Sequence, residues 1–434
     1  MIRATFIIFK SFEIKADTYS FNYIIDDSAY QITLKHSSLS TLNQAQQLTV
    51  IFNLGMCYLL DIAEMTVPEK IFINFKLENS QLSFWKSLYQ QVSKENMCVL
   101  QMDLKLLDNI WEINPSGQYF NSFSLSSDRK DVTICLTGGK ESLTLLKLLQ
   151  DMYPLQLFFL DTELSVHRQK VYDRVKDEFK TIRTISNRRE IFREIKQKHQ
   201  SKLSSGLDMA HLVFNSLLFG SKYVLIGNEY SSNFPNLVYQ GYSINHQFVK
   251  TIDFAKQLND YLHEYVTTDF TYYSPFFSLY EYFIARELFR STEYLEVWTS
   301  CNKTTPTTNF CCNCPKCAFT YLISLLYTTP TFLKNYFSRD LLEDLELFKP
   351  LMDFTGEKPL ECVGEKVEVW TALNELLNNS DLNNKPVLKY FEERIKPFII
   401  SELPKFKKDV TSIQKVPVML PDDLQKLITD VFSK

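Results

Sequence analysis

One short segment of the chain combines residue types that bind phosphate. It runs from Leu136 to Ser142 with the sequence LTGGKES and lies between an apolar stretch and a helical pattern. Two glycines at a strand-to-helix turn let the backbone approach a phosphate closely, and the first N–H groups of the following helix attract an anion. Thr137 and Ser142 add hydroxyl donors, and Lys140 adds a cation. Glycine pairs also occur in plain tight turns, so the hydroxyls and the lysine are what favour phosphate binding here.

Four cysteines are spaced as metal ligands are. Cys301, Cys311, Cys314 and Cys317 follow the pattern C-x9-C-x2-C-x2-C. Two overlapping C-x-x-C steps bring three thiolates within reach of one tetrahedral ion, and Cys301 can supply the fourth from a neighbouring turn. We expect zinc, and an iron–sulfur cluster is the alternative that four thiolates also suit. A fully ligated zinc leaves no open position for a substrate, so the predicted role is structural.

Polar residues also follow two other predicted strands, at 157–160 and 223–226. Asp161 comes directly after the first of these, and acidic groups near a triphosphate usually hold Mg²⁺ or ribose hydroxyls. Gly227, Asn228 and Glu229 follow the strand at 223–226. A glycine, an amide and a carboxylate at the end of a strand suit ligand contact better than packing.

The elements that must position these residues alternate between strand and helix. Apolar runs predict strands at 132–136, 157–160, 181–185 and 223–226, and helices at 141–151 and 207–219. Such an alternation predicts right-handed crossovers and a parallel, doubly wound sheet. Ligands of these sheets bind at the carboxyl ends of the strands, which is where the polar segments lie.

Composition restricts the class of protein. With 45% hydrophobic and 23% charged residues the chain is typical of soluble globular proteins, and a net charge of -4 argues against nucleic acid as the main ligand. No stretch reaches the roughly 18 apolar residues of a membrane span, and the N-terminal apolar run is too short for a signal sequence. Nine cysteines without a secretion signal indicate thiols or metal ligands rather than disulfides. We therefore expect a cytoplasmic protein without nucleic-acid or membrane partners.

The LTGGKES segment resembles the S-G-G-x-D-S loop of the PP-loop ATPases, which cleave ATP between the α and β phosphates. Thr137 stands for serine and Glu141 for aspartate, and both keep the chemical type. The resemblance implies ATP and Mg²⁺ as ligands and an α/β fold with a parallel sheet of the adenine nucleotide alpha hydrolase type. The residues then expected at the nucleotide are Thr137, Gly138, Gly139, Lys140, Glu141, Ser142, Asp161, Gly227 and Asn228.

The resulting domain prediction has three parts. We expect an N-terminal α+β domain at residues 1–125, a PP-loop ATP-binding domain at 126–273, and a helical, zinc-bearing C-terminal region at 274–434. The boundary near residue 125 follows the turn-like sequence Asn114-Pro115-Ser116-Gly117 and a serine-rich stretch.

Several segments together resemble the UDP-N-acetylmuramoyl-L-alanyl-L-glutamate epimerase (MurL-like) family. They are the LTGGKES loop, GNE at 227–229, NHQ at 245–247, SCN at 300–302, CPKC at 314–317 and KPLECVG at 358–364. The last is the most specific, because no PP-loop requirement explains it. The resemblance extends to about residue 375. It implies an ATP- and Mg²⁺-dependent inversion of the terminal L-glutamate of a UDP-linked muramoyl dipeptide through an acyl-adenylate, with release of AMP and diphosphate.

The implied inversion needs general acid–base groups, because a proton leaves one face of the α-carbon and another arrives on the opposite face. His246 is the first candidate, since its ordinary pKa suits both steps, and a hydrogen-bonded structural histidine is the alternative. Glu229, Glu361 and Cys362 are candidates for the second group, with burial as a small hydrophobic side chain the alternative for Cys362. Lys140 is expected to act on the phosphates.

Two other functions stay open at the level of the sequence. A PP-loop ligase or amidotransferase would pass the adenylated carboxylate to an amine, and would release AMP only when an amine is present. A non-catalytic nucleotide-binding or zinc-scaffold protein would release no diphosphate with any carboxylate, and the changes at Thr137 and Glu141 are its only support.

Overall fold

The computed structural model describes residues 1–108, 110–125, 131–160, 166–201, 206–301, 303, 308–417 and 420–433. Asp161 lies outside these ranges, so its role as a ligand of Mg²⁺ or of a ribose stays a prediction.

Strands occupy the first two thirds of the chain. They are β1 (Phe6–Lys15), β2 (Thr18–Ile25), β3 (Ser28–His36), β4 (Lys70–Phe75), β5 (Ile110–Gln118), β6 (Val132–Cys135), β7 (Leu155–Phe159), β8 (Lys180–Ser186), β9 (Tyr223–Leu225), β10 (Leu237–Tyr239), β11 (Tyr242–Ile244) and β12 (Thr271–Tyr273).

Helices alternate with the later strands and make up most of the C-terminal part, as predicted. They are α1 (Gln44–Thr66), α2 (Asn79–Val99), α3 (Lys140–Leu149), α4 (Val166–Val175), α5 (Arg188–Lys198), α6 (Asp208–Leu217), α7 (Ile252–Tyr265), α8 (Glu281–Phe289), α9 (Pro315–Leu325), α10 (Pro330–Leu333), α11 (Leu345–Met352), α12 (Lys366–Leu376), α13 (Pro386–Tyr390), α14 (Lys396–Ile399), α15 (Leu403–Val410) and α16 (Asp422–Phe432). A π-helical segment, Phe391–Ile395, joins α13 to α14.

Ten of the described strands form one mostly parallel sheet. Its strand order is β12-β9-β6-β7-β8-β3-β2-β1-β4-β5. The pairings from β12 to β8 are all parallel, and the predicted bounds of β6, β7, β8 and β9 agree with the structure to within two residues. The predicted alternation of buried strands and helices is therefore confirmed, and the fold is α/β.

The strand order creates a crevice at the centre of the parallel half. After β6 the chain adds β7 and β8 on one side, and it later adds β9 and β12 on the other. The connections that leave β6 and β9 therefore diverge, and the space beyond their carboxyl ends is where open α/β sheets bind ligands. The LTGGKES loop follows β6, and Gly227 lies two residues beyond β9.

The N-terminal strands extend the same sheet. Strand β3 pairs antiparallel with β8, with Leu34 opposite Ser186 and His36 opposite Thr184. Strands on both sides of the predicted boundary at residue 125 thus share backbone hydrogen bonds. The division into three domains stays a prediction.

The turn predicted at Asn114 to Gly117 is wrong, because these residues lie within β5. Between the pairs Ile73–Ile113 and Phe75–Gln118 the chain of β5 contains more residues than that of β4, so the extra residues form an irregularity in the pairing. Strand β5 lies at the edge of the sheet, and proline is tolerated at edges and bulges because no neighbour needs its missing N–H.

Among the residues that the structure describes, one helix, α1, is long and apolar enough to cross a membrane by length and composition. The expectation that no stretch is so apolar is wrong for this helix. Its most apolar window is 94% buried inside the protein, where it packs against β1, α2 and α6. Packing in the core therefore explains its composition.

Candidate active site

A cavity of about 140 Å³ lies in the crevice beyond β6 and β9. Among the residues predicted from the sequence, its wall contains Thr137, Lys140, Glu141, Ser142, Gly227, Asn228, Glu229 and Cys362. A larger surface groove of about 700 Å³ lies beside Lys94 and Tyr242, but its charged residues are exposed or half-buried. The smaller cavity is the candidate site because buried charges converge on it.

The loop after β6 makes a tight turn into α3. Gly138 has a φ of 82°, in the left-handed region, and a Cβ there would lie 2.7 Å from Cγ2 of Val171. Gly139 precedes the first residue of α3 and has no side chain to cap it. The hydroxyl of Ser142 accepts the Thr137 N–H at 3.3 Å and donates to the Gly139 carbonyl at 3.1 Å, which folds the loop onto the helix start. A helix N-terminus thus faces the cavity.

Lys140 is held by carboxylates within the cavity wall. Its ammonium forms ion pairs with Glu141, at 2.5 Å, and with Glu281. Burial would lower the pKa of Lys140, but these two negative neighbours raise it, so the group is a cation. The role of Lys140 at the phosphates stays a prediction. In this structure its ammonium is paired with the carboxylates of Glu141 and Glu281.

The loop after β9 packs directly on the start of α3. A Cβ at Gly227 would lie 2.7 Å from Cβ of Glu141, so only glycine permits this approach. The Asn228 amide donates to the hydroxyl of Tyr272 at 3.2 Å. The neighbouring Glu229 is buried. Burial raises the pKa of Glu229, and the positive charge of Lys250 opposes that rise.

Cys362 lies beside two cationic groups. The Nζ of Lys250 is 3.2 Å from the Sγ of Cys362, and the ring of His246 interacts with this sulfur closely enough to shift the pKa of both groups. The Nδ1 atom of the same His246 ring is 2.8 Å and 2.9 Å from the two carboxylate oxygens of Glu95. Cysteine, histidine and glutamate thus form a series of interacting groups that starts in the cavity wall.

These contacts shift the pKa values of Cys362 and His246 in opposite directions. Burial would raise the pKa of the Cys362 thiol, but the Lys250 ammonium and the His246 hydrogen bond lower it to about 5. Burial would lower the pKa of His246, but the hydrogen bonds to Cys362 and Glu95 raise it to about 9. Near neutral pH the pair is therefore a thiolate and an imidazolium, which is the reactive state of a cysteine.

Glu361 has a different environment. Its carboxylate accepts the backbone N–H of Lys316 at 3.2 Å, in the first turn of α9. A carboxylate in this position stabilises a helix N-terminus. Its predicted part in proton transfer stays a prediction.

The four cysteines come together as predicted. Their sulfur atoms all lie within 4.8 Å of one another, and the Sγ atoms of Cys311 and Cys317 are 3.7 Å apart. A tetrahedral zinc with Zn–S bonds of about 2.3 Å places its sulfurs about 3.8 Å apart. Cys301 also accepts the N–H groups of Lys303 and Cys311 at 3.3 Å. The donor set and its spacing fit a metal ion.

The cysteine cluster borders the cavity from two directions. The residues just before Cys301 hydrogen-bond the turn after β6, since Thr299 N–H donates to the Gly138 carbonyl at 2.8 Å and the Ser300 hydroxyl accepts Lys140 N–H at 3.3 Å. Lys316 belongs to the first turn of α9 and lies between Cys314 and Cys317 in the sequence. Its side chain lines the cavity. An ion in the cluster would fix both segments.

Sequence reasoning missed several residues of the site. Lys250, Glu281 and Lys316 line the cavity, and Glu95 reaches His246 from helix α2. Only Lys316 had a local signal, because it lies inside the CPKC string.

Two family models match the chain. The family model described as the MurL N-terminal domain matches residues 3–275, and that of the MurL C-terminal domain matches residues 297–403. No solved structure matches.

Curated relatives carry the same name, UDP-N-acetyl-alpha-D-muramoyl-L-alanyl-L-glutamate epimerase. The protein from Xanthomonas oryzae pv. oryzae is 32% identical over 202 residues, which are 44% of this chain and 45% of that protein. Those from Salinispora tropica and Micromonospora sp. are each 34% identical, over 41% and 38% of this chain and 40% and 39% of their own length. The chain thus matches less than half the length of these relatives. Because the N-terminal family model alone covers more than half of the chain, this protein belongs to the MurL family.

Proposed function

We propose that this protein is an ATP-dependent epimerase. It inverts the terminal L-glutamate of UDP-N-acetylmuramoyl-L-alanyl-L-glutamate through an acyl-adenylate, releases AMP and diphosphate, and serves the synthesis of a peptidoglycan precursor in the cytoplasm. The names of the curated relatives supply the substrate. One observation carries the proposal: the turn after β6 and Cys362 line one cavity.

The need for ATP follows from the acidity of the substrate. An α-proton beside a carboxylate is very weakly acidic, because its removal would put a second negative charge on the same unit. Joining the carboxylate to AMP removes the first charge and leaves an ester-like carbonyl that can delocalise the second. Hydrolysis of the activated acid then makes the cycle irreversible.

The turn after β6 is the proposed site of the ATP phosphates, in a fold of the PP-loop type. Support comes from its place at the carboxyl end of the central strand and from the left-handed backbone of Gly138. The side chains of Lys250 and Lys316 add positive charge to the same cavity. Mg²⁺ would neutralise phosphate charge, and Glu141 and the predicted Asp161 are the proposed carboxylates near it.

His246 and Glu229 are the proposed acid and base. His246 is an imidazolium near neutral pH, because its pKa is raised to about 9, so it can donate a proton. Burial raises the pKa of Glu229, which makes its carboxylate a stronger base than an exposed one. Glu361 is engaged at the start of α9. The ammonium of Lys250 can offset the charge that develops on the substrate carbonyl.

The proposed metal of the cysteine cluster is zinc with a structural role. Four thiolates complete its coordination, so its effect on the reaction is indirect. It would hold the segment at Thr299 and Ser300 against the phosphate-binding turn.

The test is incubation with ATP, Mg²⁺ and the UDP-linked muramoyl dipeptide in D₂O. The proposal predicts deuterium at the glutamyl α-carbon in step with release of AMP and diphosphate. Release of AMP only after an amine is added would indicate a ligase instead. Absence of diphosphate release from a folded, metal-loaded protein would contradict any adenylating function.

A further inference from the structure

We propose that Cys362 is a nucleophile that accepts the acyl group from the adenylate, so that inversion takes place on an enzyme-bound thioester. This inference rests on the proposed function, because the adenylate is its acyl donor. It adds a covalent step, and it gives Glu95 a role as a positioning residue.

The position of Cys362 is suited to acyl transfer. Its side chain lies in the wall of the cavity that the phosphate-binding turn also lines. An acyl group joined to an α-phosphate at that turn would therefore be presented inside the cavity that contains the sulfur. The Lys250 ammonium, 3.2 Å from the sulfur, can also hold the acyl oxygen as it gains negative charge.

The residues behind Cys362 have the order of an acyl-transfer triad. The His246 ring interacts with the sulfur and lowers the pKa of Cys362, and the carboxylate oxygens of Glu95 lie 2.8 Å and 2.9 Å from Nδ1 of the same ring. A nucleophile, a histidine and a group that orients the histidine recur in covalent acyl transfer on unrelated folds. Direct proton exchange at an α-carbon needs two bases but does not need this series.

The low pKa of the Cys362 thiol also favours a role as a nucleophile. With a pKa lowered to about 5, Cys362 is almost wholly thiolate near neutral pH. Such a thiolate is a weak base for a carbon-bound proton, but it is fully available for attack on an activated carbonyl. Its environment therefore favours nucleophilic attack over proton removal.

The covalent step balances without another reactant. The sulfur lone pair forms a bond to the acyl carbon, the bond from that carbon to the AMP oxygen breaks, and AMP leaves with the electron pair. Sulfur donates electrons to a carbonyl less well than oxygen does, so the α-proton of a thioester is more acidic than that of an oxygen ester. Glu229 takes this proton, and the His246 imidazolium returns one to the carbon.

Hydrolysis restores the enzyme. His246 is neutral once it has protonated the carbon, and it then takes a proton from water while the hydroxide attacks the thioester. The carbon–sulfur bond breaks and Cys362 leaves as a thiolate. The product carboxyl and Glu229 each release a proton to solvent, which matches the two protons freed when ATP is cleaved to AMP and diphosphate.

The first experiment looks for the thioester itself. Wild-type enzyme and a His246→Gln variant, whose hydrolysis step should be slow, are mixed with ATP, Mg²⁺ and the dipeptide and quenched in acid. Mass spectrometry should find an adduct of substrate minus water on the peptide that contains Cys362. Absence of this adduct in both proteins, while the wild type releases AMP and inverts the substrate, would overturn the covalent step.

Variants at Cys362 separate this step from adenylation. In Cys362→Ala, and in Cys362→Ser, which keeps the shape of the side chain, dipeptide-dependent exchange of diphosphate into ATP should persist. Release of AMP should fall by about 10³-fold or more. Cys98→Ala, which changes another half-buried free thiol, should leave both reactions intact. Inversion by both Cys362 variants at the wild-type rate would overturn the covalent step and leave the proposed function standing. A wild type without diphosphate exchange would overturn both.

Glu95 is tested through the pH profile. Glu95→Gln keeps a hydrogen-bonding side chain but removes its charge, so the basic limb of kcat/KM should move to lower pH as the pKa of His246 falls. A role in packing alone would lower stability without moving that limb, and this result would remove Glu95 from the series.

Discussion

Replacing Lys250 by methionine tests the charge that holds Cys362 as a thiolate. The substitution removes the ammonium and keeps a side chain of similar length. The Nζ and Sγ atoms are 3.2 Å apart, and unit charges at this distance attract by about 5 kcal/mol at an effective dielectric constant of about 20. This energy corresponds to about 4 pKa units. Water that enters beside the methionine would offset part of it, so we expect the pKa of Cys362 to rise by about 2 units or more.

The direction of the change is fixed by the charges. The thiolate loses a positive neighbour, so the pKa of Cys362 rises from about 5 and the thiolate fraction falls at mildly acid pH. The acidic limb of kcat/KM should move to higher pH by the same amount, because the reaction needs the thiolate. The basic limb belongs to His246, whose pKa is about 9, and should move much less.

Alkylation of the free enzyme measures the thiolate directly. The rate at which iodoacetamide modifies Cys362 is followed by mass spectrometry between about pH 4 and about pH 9. Lys256→Met provides the control, because Lys256 is an exposed lysine six positions further along the chain, and its profile should match the wild type. An unchanged midpoint in Lys250→Met would refute the assignment of Lys250 as the group that stabilises the thiolate.

Three further changes test other parts of the site. Gly138→Ala should nearly abolish diphosphate exchange, because its φ of 82° and the 2.7 Å contact to Val171 exclude a Cβ; unchanged exchange would contradict the turn's role. Removal of the metal proposed at the four cysteines, or Cys314→Ser, should lower metal content and melting temperature, measured by elemental analysis and calorimetry, and should slow the exchange. Glu281→Gln leaves the buried Lys140 with less negative charge and should lower the free energy of unfolding by about 3 kcal/mol, measured in denaturant.

The parts of the fold that the sequence predicted are those with local causes. Strands β6 and β7 are mostly apolar runs buried on both faces, and the turn after β6 carries its glycines and hydroxyls within one short segment. The four cysteines are likewise close in sequence. Each of these signals depends on neighbours within a few residues, so periodicity and spacing were sufficient to find them.

The missed features depend on contacts between distant segments. The partner of His246 is Glu95, which lies 151 positions earlier on α2, and no pattern around either residue indicates the other. The pairing of β3 with β8, which joins the N-terminal strands to the parallel half, also has no local signal. The turn predicted at Asn114 to Gly117 was wrong because an edge strand tolerates the proline and glycine that usually end a strand.

Transfer of oxygen from substrate to AMP tests the central claim most directly. If the glutamyl α-carboxylate is labelled with ¹⁸O, attack of that carboxylate on the α-phosphorus and later cleavage of the acyl bond must leave one labelled oxygen in the phosphate of AMP. The account predicts one ¹⁸O atom in each AMP formed during inversion. AMP that carries no label, while the substrate is inverted at its normal rate, would show that the acid is never adenylated.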